Sequence, residues 1–453
     1  MILLGLLAAV FTILAAGFGV ALSVFARTGR LNLVECTCLG WLLGSGIVSL
    51  LLWVCGTFCS GLVLQTLVTI ACLALGILGW RARQHVAAKF VLPLPANVTE
   101  WFLTGLVLIE IAILFFVSFK HTLGWDGLLN WEIKARYAFL NGGVIPESYY
   151  SSAGRAFSHP EYPLGIPFTE LWLYLWMSEP HQFWVKIIFP LFYAACAPLL
   201  ALLTARLSGK RWGGLLIASL LPFVPSISAS PGGIVVGYVD VPISVFYLAA
   251  LGYLLCWFKN DAPCSIVACA ACAAFLPWIK SEGVILWFVL ALLGLTLSLS
   301  KHRVGPFLAS IAPGLLIILG WRLYLKLVQI FPHSDFSHPT FSLLRENLSR
   351  LADIGGILLA ELSETVHWSI FWFLAAVAVV YLLTSRKLEK ILLAVAVLLP
   401  IVLYSLTYLF STWPSYTAHM TSSVPRLLLH VMPAGWLAIG LALTQPKDQN
   451  RRL

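Results

Sequence analysis

The chain has 453 residues, 60% hydrophobic and only 10% charged, with a formal net charge of +9 and a mean hydropathy of +0.92. Soluble domains carry about a quarter charged residues, which excludes an ordinary globular protein. The apolar residues fall in runs of about 17–25, the length that crosses a hydrocarbon core of about 30 Å, and not in the alternating ten-residue segments of a membrane β-barrel.

The expected fold is therefore an all-α polytopic membrane protein with about 13 transmembrane helices. They are placed at 2–25, 33–56, 58–80, 101–119, 183–204, 212–229, 239–258, 264–279, 283–299, 305–326, 367–384, 390–410 and 426–443. The first run lacks a basic leader and is longer than a signal-peptide core, so it reads as a retained helix, with a signal anchor as the alternative. With the N-terminus outside, 17 of the 28 basic residues fall in short loops on one face: Arg27, Arg30, Arg81, Arg83, Lys89, Arg206, Lys210, Arg211, Lys259, Lys301, Arg303, Arg386, Lys387, Lys390, Lys447, Arg451 and Arg452. That bias marks the face as cytoplasmic, so topology rather than nucleic acid accounts for the basic balance. The cations that oppose it include Lys120, Lys134, Arg136, Arg155, Lys186, Lys280 and Arg426. A cation kept on the disfavoured face calls for a specific partner, for which an anionic phosphate is the candidate.

Residues 1–100 read as an N-terminal scaffold or extra module, 101–443 as the core, and 444–453 as a cytoplasmic tail. Two outer connections are long, 120–182 and 327–366, and Ser411–Pro425 is a third, polar one. Long loops are where function concentrates. The stretch Leu164–Met177 is short for a span, and counting it as one would break the charge rule, so it is expected to lie as an interfacial helix on the outer surface. The ten cysteines sit mostly inside apolar runs and read as small packing groups, with a Cys55–Cys59 pair left open.

The most informative stretch runs from Gly124 to Arg136 and follows directly on the run Phe102–Phe119. It carries Trp125, Asp126, Trp131, Glu132, Lys134 and Arg136 to the membrane edge together, where ionisable groups are costly and signal function. Asp126 is the candidate base, with helix N-capping as the alternative; Glu132 is a second catalytic candidate, with an i,i+4 pair to Arg136 as the alternative. Trp131–Asn141 has helical spacing and stops at Asn141-Gly142-Gly143. His159, Glu161 and Tyr162 sit between prolines that fix their directions. Asp240 opens a span, and Lys280 and Glu282 lie in a tight outer hairpin, where a Lys280–Glu282 or Lys280–Asp240 pair competes with phosphate binding. Arg426 is a further phosphate candidate, with snorkelling as the alternative. His333, His338, His367 and His419 read as surface histidines. No zinc-type spacing appears, so no residue is assigned to a metal, and a divalent metal stays open as the only cofactor considered.

The order of five segments resembles the GT-C superfamily of integral-membrane glycosyltransferases, the group with the protein mannosyltransferases and the lipid A aminoarabinose transferase, and in particular its bacterial family-39-like members. The segments are Trp125-Asp126 with Trp131 and Lys134-Ala135; His159-Pro160-Glu161-Tyr162-Pro163-Leu164; Gly237-Tyr238-Val239-Asp240-Val241-Pro242; Lys280-Ser281-Glu282-Gly283; and Arg426-Leu427-Leu428-Leu429-His430. The resemblance implies a GT-C-like fold and a sugar donor linked to polyprenyl phosphate. It also implies an envelope acceptor (lipid, glycan or protein), inversion at the anomeric carbon, and a site on the non-cytoplasmic face of a bacterial inner membrane. Asp126 inherits the role of base and Glu132 is the next acid. Lys134, Arg136, Lys280 and Arg426 would bind the donor phosphate; Trp125, Trp131, His159, Glu161, Tyr162, Asp240 and Glu282 would contact substrate. Relatives often place two acidic residues together, whereas here Gly127 follows Asp126. Two other readings compete: a transporter or lipid-carrier flippase, and a non-catalytic subunit of an envelope polymer assembly complex. The partners expected on the first reading are the lipid-linked donor, membrane lipids and the acceptor.

Overall fold

The computed structural model describes residues 1–228, 232–260, 262–330 and 335–444. His333 and the tail beyond Thr444 lie outside that set. Apart from two three-residue strands, Arg30–Asn32 and Lys89–Val91, which pair in parallel, the regular structure is helical. The helices used below are α1 (Ile2–Phe25), α2 (Leu33–Gly56), α3 (Gly61–Val86), α4 (Val98–Ser118), α5 (Ile133–Leu140), α6 (Gly165–Met177), α7 (Ile188–Ser208), α8 (Asp240–Asn260), α9 (Pro263–Ile279), α10 (Gly283–Ser300), α11 (Val304–Leu327), α12 (Leu351–Leu362), α13 (Phe371–Leu383), α14 (Leu388–Thr407), α15 (Tyr416–Leu429) and α16 (Met432–Leu443).

Local chemistry sets several of the starts. Asn32 and Asn97 cap α2 and α4, each side chain accepting from the amide three residues on, at 3.2 and 3.0 Å. Pro263 opens α9 where its missing N–H costs nothing. Nine helices among the described residues are long and apolar enough to cross a membrane, and α15 with α16, bent by 48°, make a tenth if counted as one span. The chain is an all-α, multi-pass membrane protein.

The expected 13 spans are not all full crossings. The predicted 212–229 span is broken into Arg211–Ala218, Leu221–Phe223 and Pro225–Ser228. Pro222 and Pro225 remove backbone donors there and stop the helix. Helices α9 and α13 are the other two short ones. Before α13, Ser369 takes φ 49°, which interrupts the predicted 367–384 run.

Helix α8 is the centre of the bundle, with 94% of its apolar window buried, whereas α3 and α11 have only 17% buried and leave large apolar faces outward. The N-terminal helices are fastened to that centre. The Glu35 carboxylate on α2 takes both terminal nitrogens of Arg206 on α7 and the Tyr253 hydroxyl on α8. Helices α1 and α2 approach through glycine: a Cβ at Gly17 would stand 2.0 Å from the Gly40 carbonyl oxygen.

Helix α6 corrects the expectation of an interfacial helix. It is buried along nearly its whole length. The Trp172 indole donates to Thr12 Oγ1 in the middle of α1 at 2.9 Å, and a Cβ at Gly165 would meet the Trp278 carbonyl oxygen at 2.6 Å. Its tryptophans face protein rather than headgroups, because α1, α2 and α5 close over it. By contrast α12, in the second long loop, buries only Ile354 and leaves Leu351 and Leu359 exposed. Cys55 and Cys59 are not bridged; the Cys59 thiol donates to the Cys55 carbonyl at 3.3 Å.

Candidate functional site

Four helix ends meet at one end of the bundle, the C-terminal ends of α9 and α14 and the N-terminal ends of α8 and α10, with α15 and the segment that follows α4 beside them. They enclose a cavity of about 660 Å³. The basic loops carrying Arg206, Lys259 and Lys301 close the opposite ends of α7, α8 and α10.

Beneath the floor lies Asp240, with 0% of its side chain exposed. Its Oδ1 accepts from Lys280 Nζ at 2.7 Å and from His430 Nε2 at 2.8 Å, and its Oδ2 accepts from Arg426 Nε at 3.0 Å. His430 sits at the break between α15 and α16, and its other ring nitrogen meets the Tyr404 hydroxyl at 3.2 Å. Asp240 was expected to touch substrate; it instead organises the two cations that do line the cavity. A buried carboxylate survives only when paired in this way.

Asp126 lies on the cavity wall, its carboxylate against Arg426 Nη1. It makes no helix cap; the turn that follows, Gly127–Glu132, is π-helical, a widened geometry that recurs at functional sites. The Asp126 amide donates to the Tyr238 hydroxyl at 3.3 Å, and the Tyr238 ring lies 4.8 Å from the Arg426 guanidinium carbon. Gly127 is explained by the same contact. A Cβ there would stand 2.5 Å from the Val236 carbonyl oxygen, so a second acid cannot follow Asp126. Gly127→Ala is expected to push the turn off the 236–238 segment and lower the thermal midpoint. A midpoint equal to that of the unaltered protein would contradict this.

Lys280 also reaches Glu282 Oε1 at 3.0 Å. Burial opposes the Glu282 charge, but Lys280 and His430 hold its carboxyl below the usual range. Both pairing alternatives for Lys280 therefore hold at once. Neither Lys280 nor Arg426 is a bare cation waiting for phosphate. Asp126, Glu161, Glu282 and Asp335 all line the wall, so carboxylates outnumber Lys and Arg around the cavity. Three acceptor oxygens on lining residues are buried with no hydrogen-bond partner: Asn130 Oδ1, Glu161 Oε2 and Glu282 Oε2. Orphaned acceptors are costly unless a donor reaches them.

His159 lines the cavity and takes a left-handed φ of 46°, strained for a non-glycine residue. It is held there by Glu161 Oε1 at 3.2 Å, by the Tyr162 ring at a centroid distance of 4.9 Å, and by Lys134, whose Nζ donates to the His159 carbonyl at 2.8 Å. Burial disfavours the charged ring, but Glu161 and Asp335 outweigh it and raise its pKa. The folded value then exceeds the unfolded one of about 6.5. The stability it supplies is complete below that value and is lost as pH rises through the folded value. The thermal midpoint gap between the protein and His159→Gln is thus expected to shrink from pH 6 to pH 9. An unchanged gap would mean a neutral ring.

The remaining expected residues divide clearly. Trp125, Glu161, Tyr162 and Glu282 line the cavity with Asp126, Lys280 and Arg426. Lys134 does not: it is wholly buried, over the rings of Trp131 and Tyr162, and burial lowers its pKa to about 7 against the pull of Glu161 and Asp126. Trp131 is buried against Tyr162 and contributes packing. Glu132 and Arg136 also stand outside. Glu132 is 2% exposed, accepts from the Tyr174 hydroxyl at 2.8 Å and pairs with Arg136 at 3.3 Å, the i,i+4 contact that its spacing allows.

Tyr238, His430, Asp335, Trp413 and His419 were not singled out as contacts. Trp413 stacks on His419 at 4.4 Å and donates to Asp335 Oδ1 at 2.9 Å, where the two later outer segments join through a bridge between Phe336 and Ser411. The length of the 327–366 connection and the polar composition of Ser411–Pro425 were the signals for this wall. Among the described residues no group of three or more His, Cys, Asp or Glu side chains is placed to hold a metal ion. No family model, curated protein or solved structure matches the chain.

Proposed function

We propose that the protein is a membrane glycosyltransferase of GT-C type that moves a sugar from a polyprenyl-phosphate carrier to an envelope acceptor on the non-cytoplasmic face of a bacterial inner membrane. The observation that carries this reading is the cavity itself, where the Asp126 carboxylate, the two fixed cations Lys280 and Arg426, and aromatic side chains share one wall at the helix ends. A prenyl tail, worth about 0.8 kcal/mol per buried methylene, keeps the donor's phosphate at headgroup depth, the level of helix ends. The end of the bundle opposite the cavity carries the basic loops, which supports a non-cytoplasmic opening. Charges gathered at helix ends favour a reaction centre over a transport path, whose polar groups belong near the midplane.

In the reaction, Asp126 takes the proton of the acceptor hydroxyl as its oxygen bonds to the anomeric carbon. The bond from that carbon to the phosphate oxygen breaks on the opposite side, so the configuration inverts. The electron pair leaves on the carrier, whose phosphate goes from one negative charge to two. Arg426, anchored to Asp240 through Nε, presents its Nη donors to that growing charge, with Lys280 beside it. Purified protein in nanodiscs, given labelled polyprenyl-phosphate sugars and envelope lipids, should yield labelled acceptor, and Lys280→Ala should not. Transfer that survives Lys280→Ala unchanged would reject the assignment.

A further inference from the structure

Asp126 and the carrier phosphate have claims on the same guanidinium. Arg426 lines the cavity, held through Nε by Asp240 and flanked by the Tyr238 ring, and on its Nη1 Asp126 already sits. Two anions on one guanidinium edge repel, and in a partly buried site that repulsion is weakly screened. Asp126 is the partner able to yield. Asp240 is immobilised by three donors, whereas Asp126 has one side-chain partner among the described contacts and begins a π-helical turn.

Resting on the proposed donor, we infer that polyprenyl phosphate displaces Asp126 from Arg426, so that the carboxylate is released as a base only when the donor is in place. The Asp126–Arg426 contact is then a latch. Without donor, the carboxylate is masked and no acceptor or water is activated. With donor, the phosphate takes the guanidinium and Asp126 turns to the acceptor hydroxyl. The order of binding follows: donor first, acceptor second. The latch also taxes donor affinity, because only the fraction of molecules with Arg426 open is competent to bind.

The test is carboxylate footprinting of the full-length protein in nanodiscs, with a carbodiimide and an amine, read by mass spectrometry with and without polyprenyl phosphate. Labelling of Asp126 should rise several-fold with the lipid, while Asp240 stays unlabelled. Native mass spectrometry on the same samples should show the lipid bound. Asp126→Asn should bind it more tightly, by about tenfold if the open fraction is about a tenth. Bound lipid with Asp126 labelling unchanged or reduced overturns the latch and leaves the donor intact. No binding by either protein overturns the donor reading and the latch with it.

Discussion

Asp126→Asn is expected to lower sugar transfer by about 10²–10⁴-fold, the usual worth of a positioned base. The substitution is nearly isosteric, and the Asn carbonyl can still face Arg426. Arg426 keeps Asp240, whose contact at 3.0 Å does not involve residue 126. The Asp126 side chain is 16% exposed, so no buried charge is orphaned outright. The thermal midpoint should therefore move little while the rate collapses, which separates loss of chemistry from loss of fold. Initial rates for both proteins with one labelled donor decide it. A variant within a few-fold of the unaltered protein would remove Asp126 from the chemistry, and no other lining carboxylate is so close to Arg426.

Asp240→Asn should have the largest effect on stability. Breaking one partner out of a buried ionic network costs about 3–5 kcal/mol, because the remaining charges are left uncompensated. Here the loss would leave Lys280, 3% exposed by side chain, and Arg426 competing for one amide oxygen, while the amide nitrogen faces their N–H groups. Activity should fall too, through displaced cations rather than lost contact. A double variant, Asp240→Asn with Lys280→Met, should recover only part of the loss, since it removes the ammonium left beside the amide but takes from Glu282 its own cation. Unfolding in detergent measures both. A cost under about 1 kcal/mol for Asp240→Asn would mean that the network contributes little.

Much of this wall was legible because charge is rare in such a chain. Asp126, Lys280, Glu282 and Arg426 are far apart in sequence, yet each sits near a helix end on the face that the basic loops avoid, and alternation along the bundle brings those ends together. The departure at Gly127 was also visible, although its cause, the close pass of the 236–238 backbone, was not. Hydropathy failed where it cannot tell protein from lipid. Helix α6 reads like a surface helix with two tryptophans, but Trp172 donates into α1 and Trp176 packs edge-on against the Trp172 ring. The same ambiguity hid the burial of Lys134 and Asp240, because a charge near a membrane edge looks alike whether it faces a cavity or lies beneath its floor. Glu132 was the instructive case, since its i,i+4 spacing to Arg136 already held the reading that the structure adopts.

The central claim, that this cavity holds a lipid-linked donor's phosphate, is tested most directly by an experimental structure determined with polyprenyl phosphate. The account predicts phosphate oxygens within hydrogen-bond distance of Arg426, Lys280 beside them, and Asp126 turned from the guanidinium. A cavity left empty at saturating lipid, with the phosphate held elsewhere on the protein, would contradict it.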